Sequence, residues 1–316
     1  MEQIKQCLAC NSTNHQPFVQ TPAMMHLHLP NKYNFDRCFD CGLVFLHPRV
    51  PETALGRFYT SAYLPYRVDE AWGKYAFLVK QDQRNIDNAR VSRLKKHHNL
   101  TTQSRILDIG CGKPTFLACL RNHTPAELIG LDFSDEGWKN EQENYQGIDL
   151  IIGEVADLQK EKPVDVITMW HYLEHDYQPQ QHLQQLLHLA HPHTHLIIEV
   201  PNFDSYTQRK FGQYWSGYHT PRHTALYSPN NITQLLKNSG WEVAQVLTYG
   251  TLDPYTLHWM SRMEKKGIDW EASMEKRFTG YVAGKVFNTP IYMLQKWISM
   301  GFMTVIAKPL SKASMV

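Results

Sequence analysis

The chain has 316 residues, 42% of them hydrophobic and 20% charged, with a formal net charge of +2. This length supports one large α/β unit with a smaller appendage, and the composition excludes a disordered chain. The charge is too small to argue for a nucleic acid or a membrane by electrostatics alone. No apolar run approaches the roughly 20 residues of a bilayer span, and the opening MEQIKQCLACNSTNHQ lacks the apolar core of a secretory signal, so the cytoplasm is the expected location.

The first feature in chain order is a pair of cysteine pairs, Cys7-x-x-Cys10 and Cys38-x-x-Cys41, 27 residues apart. Two residues between cysteines let one tight turn aim both thiolates at a common point, and two such turns complete a tetrahedral shell suited to Zn²⁺. Reduced thiols are expected in the cytoplasm, which favours a metal over disulfides. A closed four-sulfur site leaves no position for a substrate, so the zinc is expected to be structural. Residues 1–48 are expected to form this small ribbon, with Gly42 leading into an apolar strand.

Residues 49–99 are expected to be an aromatic-rich linker. Phe58, Tyr59, Tyr63, Tyr66, Trp72, Tyr75 and Phe77 show no strand period, which leaves two roles open: packing between modules or a lid over a ligand. A polar-faced helix follows over residues 80–99, with Ile86, Ala89, Val91 and Leu94 near one side. From residue 100 strands and helices alternate. RILDIG, LIGLDF, DLIIGEV, VDVITMW and HLIIEV read as strands; FLACLRNH, residues 135–145 and HLQQLLHLA read as helices. That order calls for an α/β fold with a doubly wound, mostly parallel sheet. SPNNITQLLKNSG reads as a helix capped by Ser228 and closed by Gly240, WEVAQVLTYG as a strand, residues 252–298 as an insertion interrupted by Pro290, and FMTVIAKP as the last strand.

The chemistry is expected at the carboxyl ends of these strands. The first ends in LDIGCGKPTFL, where Asp108 closes the strand and Gly110 and Gly112 make a turn into a helix near Thr115, with Cys111 inside the turn. Glycine there lets a backbone approach a ligand. The second strand ends at Asp132, 24 residues on, where a carboxylate can accept hydrogen bonds from both hydroxyls of a ribose. Glu154 and Val155, after the third, are placed to flank an adenine.

The ordered series LDIGCG, GLDFS, GEVADL and VDVITMWHYLEH, followed by PNFDSYTQRKFGQYWSGYHTPRHTALYS, resembles the class I S-adenosylmethionine-dependent methyltransferases, in the branch with LEH after the fourth strand and a PRH segment. An N-terminal zinc ribbon also occurs among such enzymes. The resemblance implies a Rossmann-like seven-stranded sheet and S-adenosylmethionine as methyl donor. It puts Asp108 and Gly110 near the methionine end, Asp132 on the ribose, Glu154 and Val155 at the adenine, and Trp170 and His171 beside the sulfonium, with Gly112 and Phe133 also among the cofactor-binding residues. Members of the branch carry glycine where this chain has Pro114. Proline is tolerated in the first turn of a helix, so the turn is expected to survive.

A hydroxyl acceptor needs its proton removed, and histidine suits the task. His175, beside Glu174, and His223, in Pro221-Arg222-His223, are the candidate bases. Glu174 would orient His175, or the two would hold a divalent ion, or both would merely cap the next segment. His223 could equally be a loop residue held by hydrogen bonds. Arg222 would pair with an acidic substrate or with Asp204, and Tyr214, Trp215 and Tyr218 would wall an acceptor pocket or pack in the core. His193 and His195 share a strand face on the far side of the sheet, where a metal site is not expected.

The expected acceptor is a small molecule, a sugar or a lipid-linked intermediate. The insertion would serve as core, dimer face or peripheral contact with a lipid. Three alternatives compete. A nucleotide-binding oxidoreductase calls for a third glycine where Thr115 stands. A non-catalytic binding module is suggested by Pro114. An RNA methyltransferase docking through the ribbon is disfavoured, because Lys5, Lys32 and Arg37 are matched by Glu2, Asp36 and Asp40. The oligomeric state is left open.

Overall fold

The computed structural model describes residues 1–25, 32–59, 64 and 67–311. Tyr63 and Tyr66 of the aromatic-rich stretch lie outside them. The strands are β1 (His15–Pro22), β2 (Lys32–Cys38), β3 (Val44–Leu46), β4 (Arg105–Ile109), β5 (Glu127–Asp132), β6 (Asp149–Ile152), β7 (Val164–Trp170), β8 (Ala190–Pro201), β9 (Ala225–Leu226), β10 (Trp241–Leu247) and β11 (Phe302–Pro309). The α-helices are α1 (Val68–Trp72), α2 (Ala76–His97), α3 (Thr115–Arg121), α4 (Pro179–Gln185), α5 (Tyr206–Phe211), α6 (Pro229–Asn238), α7 (Pro254–Lys266) and α8 (Glu275–Tyr292).

Seven strands form the main sheet in the order β10-β11-β8-β7-β4-β5-β6. The pairs β4–β5, β5–β6, β4–β7 and β7–β8 are parallel, and β11 runs antiparallel to both of its neighbours. This is the doubly wound, mostly parallel architecture expected from the alternation of strands and helices. The central strands are apolar throughout because both faces are covered: Ile106, Leu107 and Ile109 of β4 and Val166, Ile167 and Met169 of β7 are buried. Each such side chain stabilises the fold by about 1.5–3 kcal/mol. The chain order reverses between β4 and β7, and a ligand crevice opens at such a point.

The ribbon does not stand apart. β1, β2 and β3 pair in sequence, and β9, about 180 positions further along the chain, completes their sheet through Val44↔Leu226 and Phe45↔Ala225. A core containing Tyr33, Phe35, Leu46, Phe58, Trp215, Tyr218 and Phe302 joins this sheet to the rim of the large one. Of the two roles open for Trp215 and Tyr218, core packing is the one observed; the Trp215 Nε1–H donates to Thr207 Oγ1 at 3.1 Å.

Two local expectations differ from the structure. No α-helix forms over residues 135–145; turns lead to a short 3₁₀ segment at Gln142–Tyr145. Gly137 lies so close to the Gly112 carbonyl that a Cβ would come within 2.2 Å of its oxygen, and Ser134 Oγ accepts from the Glu136 N–H in place of a helical bond. α8 continues past Pro290, which falls in its last turn. His193 and His195 lie on β8, as expected, and His191 Nε2 beside them is 3.0 Å from Asp165 Oδ1.

Candidate functional site

At the β4 end, Gly110 (φ +68°) and Gly112 (φ +51°) hold left-handed conformations. A Cβ on Gly110 would meet the Tyr172 ring at 2.4 Å, so position 110 requires glycine on both counts. The Gly110 and Cys111 N–H groups donate to the Leu131 carbonyl at 2.8 and 3.0 Å, which ties the turn to β5. Asp132 ends β5, and its Oδ2 accepts the Gly112 N–H at 2.8 Å while Oδ1 accepts the Ser134 N–H at 3.3 Å. Burial raises its pKa, opposed by these backbone donors. A carboxylate has about four lone-pair positions, so two donors leave capacity for a diol. Asp108 lies deeper, accepting the Thr168 hydroxyl at 2.6 Å, and burial raises it to about 7. Pro114 immediately precedes α3 and the turn survives it, as expected.

The flanking residues are placed unequally. Phe133 is 68% exposed, with its ring 6.5 Å from that of Tyr59. Val155 is buried, and Glu154 caps the turn after β6 through a reciprocal bond with Asp157. Trp170 belongs to the core under α3, edge-on to Phe116, with the Arg90 guanidinium 5.0 Å over its ring.

His171 (φ +58°) sits between two buried carboxylates, with Nδ1 3.3 Å from Glu174 and Nε2 3.2 Å from Glu199. Burial opposes its charge, but the pull of both carboxylates prevails and raises it to about 9. An imidazolium repels a sulfonium, so His171 fits a framework role better than the sulfonium contact implied by resemblance.

Glu199, at the end of β8, was not singled out from the sequence. It accepts from the Thr251 N–H (2.7 Å) and hydroxyl (2.9 Å) and pairs with Arg93 at 3.3 Å. Burial pushes its pKa up, yet His171, Arg90 and Arg93 hold it down to about 2. Its one sequence signal is an acid inside the apolar run HLIIEV.

His175 and His223, although 48 positions apart, meet edge-to-face with ring centroids 4.5 Å apart. His223 Nδ1–H donates to the Gly217 carbonyl at 2.8 Å, and His175 Nδ1 lies 3.0 Å from the Tyr59 hydroxyl. Burial lowers both pKa values, that of His223 well below 6.5. Arg222 is fully buried and does not reach Asp204, which pairs with Arg209 instead. Its guanidinium donates to the Phe58 carbonyl (2.6 and 2.9 Å) and, at 3.4 Å, to the Met24 carbonyl. It therefore ties the site to the N-terminal region.

The four ribbon cysteines converge, with Cys7 Sγ 3.4 Å from Cys41 Sγ and Cys10 Sγ 3.6 Å from Cys38 Sγ. A tetrahedral zinc with bonds of about 2.3 Å holds its sulfurs roughly 3.8 Å apart, so the cluster fits the ion. Two matching turns shape it: Asn11 N–H to the Cys7 carbonyl and Gly42 N–H to the Cys38 carbonyl, each at 3.0 Å. Among the described residues, no metal-compatible group forms around His193 and His195.

No curated protein matches the chain. Among solved structures, one chain of the complex containing the Haloferax volcanii Trm112 methyltransferase activator is 16% identical, with 79% of this chain and 98% of that one covered and a TM-score of 0.51. The Haemonchus contortus phosphoethanolamine N-methyltransferase 2, in complex with phosphomonomethylethanolamine and S-adenosylhomocysteine, is also 16% identical, with 71% and 53% covered and a TM-score of 0.50. At these identities the likeness is one of fold. The family model described as a methyltransferase domain matches residues 78–246, more than half of the chain. With the seven-stranded sheet and its glycine turn, that match makes the chain a member of the methyltransferase-domain family, whose fold is that of the class I S-adenosylmethionine-dependent enzymes.

Proposed function

We propose that this chain moves a methyl group from S-adenosylmethionine to a hydroxyl of a small-molecule, sugar or lipid-linked acceptor, with the lipid-linked class favoured. The reading of the donor rests on the crevice between β4 and β7: Gly110, Gly112 and Asp108 would hold the methionine end, Asp132 and Phe133 the ribose, and Glu154 and Val155 the adenine. The donor supplies an electrophilic methyl on a sulfonium. The chain supplies alignment of the acceptor oxygen with that methyl, which can account for up to ~7–11 kcal/mol of a barrier. His175 and His223 would flank the acceptor hydroxyl. The four ribbon cysteines would hold a structural Zn²⁺, stable in the reducing cytoplasm where this reading places the chain.

The observation that favours a lipid-linked acceptor is the apolar surface of α8 and the turn after it. Val286, Phe287, Met293, Leu294, Trp297 and Ile298 are exposed, Phe287 at 84% and Trp297 at 74%. No acidic residue follows Glu275, whereas Lys276, Arg277 and Lys296 do, Lys285 being paired with Asp253. Such a surface lies in an interface with anionic lipid, and in a symmetric contact with a second copy its positive charges would face each other. No helix among the described residues is long and apolar enough to cross a membrane. Beside this surface opens a cavity of about 400 Å³ lined by Asp82, Thr251, Asp253, Tyr255, Lys285 and Tyr292. It reaches Thr251, which is bonded to Glu199 at the sheet's carboxyl end.

Two measurements test the reading. Calorimetry should detect S-adenosylhomocysteine binding to the purified chain, and its absence would overturn the methyl-transfer reading. Sedimentation with phosphatidylglycerol-containing vesicles should recover the chain, and F287S/W297S should lose at least roughly tenfold in partitioning. Equal recovery of the double variant would leave the lipid-linked class without support and return the acceptor to the small-molecule and sugar classes.

A further inference from the structure

Glu174 is 1% exposed, and neither carboxylate oxygen has a hydrogen-bond partner. Among the described residues the cation within ion-pair distance of it is His171, whose Nδ1 stands 3.3 Å from Oε1 without the alignment of a hydrogen bond and whose other nitrogen is committed to Glu199. A buried carboxyl group with neither oxygen hydrogen-bonded is costly, so the position calls for a partner. Two imidazoles face the same space. One ligating atom each from Glu174, His175 and His223 lie within 4.8 Å of one another. His223 is fixed as a metal ligand ordinarily is, with one ring nitrogen donating to a backbone carbonyl, here Gly217, and the other left with its lone pair free.

We propose that Glu174, His175 and His223 form a binding site for a divalent transition-metal cation. Ligands adjacent on such an ion, with bonds of about 2.0–2.2 Å, sit roughly 3–3.5 Å apart, so modest side-chain rotations close the observed spacing. Two imidazoles and one carboxylate suit first-row ions and leave coordination positions open. The site lies where the chain leaves β7, with His223 supplied by the segment after β8, on the rim where the acceptor is placed above. The catalytic consequence rests on that reading. A hydroxyl oxygen taking an open position would lose its proton to solvent more readily; its lone pair would then form the O–C bond as the S–C bond breaks, and S-adenosylhomocysteine would leave with the electron pair on neutral sulfur. In this scheme His175 and His223 act as ligands and neither takes the proton.

The cation site is tested without turnover. The full-length chain, loaded with ribbon zinc, is titrated with Mn²⁺ while free Mn²⁺ is followed by electron paramagnetic resonance, and with Co²⁺ while its absorption bands are followed. One equivalent beyond the ribbon zinc is expected in the wild type. E174Q and H223A should each bind roughly tenfold or more weakly, while retaining zinc content and S-adenosylhomocysteine affinity as evidence of an intact fold. A wild type that binds neither ion, or folded variants that bind like the wild type, overturns the proposal. Failure to bind S-adenosylhomocysteine bears instead on the methyl-transfer reading, and the metal titration still decides the cation site.

Discussion

Asp132 carries two loads. Its carboxylate holds the Gly112 N–H that shapes the turn, and it has lone pairs to spare for a ribose. Asp132→Ala removes both, so S-adenosylhomocysteine affinity should fall about 10–100-fold, the equivalent of roughly 1.5–3 kcal/mol for charge-assisted bonds, with some loss of stability. Calorimetry on the two proteins measures it, and an unchanged affinity would remove Asp132 from the donor site. The His171–Glu199 pair makes a pH prediction. His171 keeps its proton to about pH 9 in the folded chain and to about 6.5 unfolded. Its stabilisation is therefore complete below pH 6.5 and lost as pH rises through 9. Glu199, held down to about 2, has the opposite sign: its contribution is complete above about 4.5 and lost as pH falls through 2. Thermal midpoints of wild type should drop between pH 6.5 and 9 by roughly a few degrees more than those of His171→Asn. Parallel curves would mean that the imidazolium adds nothing.

Elements show where local signals suffice and where they fail. The cysteine spacing announced both turns of the ribbon, because the geometry of a CxxC turn is local. The Ser228 capping box and Gly240 (φ +85°) bound α6 where the sequence placed them, for the same reason. Residues 135–145 failed because the deciding contact, Gly137 against the Gly112 carbonyl, comes from a turn 25 positions earlier. The ribbon also yields a prediction. The metal-compatible cluster sits at the ends of its strands, with Cys38 closing β2 and Cys41 in the turn to β3, so a strong chelator, or Cys38→Ser, should remove hydrogen-exchange protection from β1–β3 while β4, β5 and β7 stay protected. Protection that survives zinc removal would show that the packing around Phe35 suffices without metal.

At the scale of the molecule, the N-terminal sheet is fastened to the rest by β9, by the Met24 N–H on the Thr220 carbonyl (2.9 Å) and by Arg222. Arg222→Met would take two guanidinium bonds from the Phe58 carbonyl and one from the Met24 carbonyl in a buried setting. The cost should be on the order of 2–4 kcal/mol, read from urea unfolding followed by the fluorescence of the tryptophans. A cost below about 0.5 kcal/mol would show that the guanidinium does not fasten the two parts.

By itself the sequence determined the α/β class, the strand order along the chain, the cysteine cluster and the glycine turn facing Asp132. Each is written in a local period, a fixed spacing or a motif at a strand end, and such signals act over a few residues. The tertiary structure alone decided which distant groups meet: β9 on β3, Arg222 on the Phe58 carbonyl, His171 on Glu199, and His175 against His223. These are contacts across tens to more than a hundred positions. Burial and the opposite charges it brings together then set the charge states of His171 and Glu199, and both belong to the assembled fold and not to any stretch of chain.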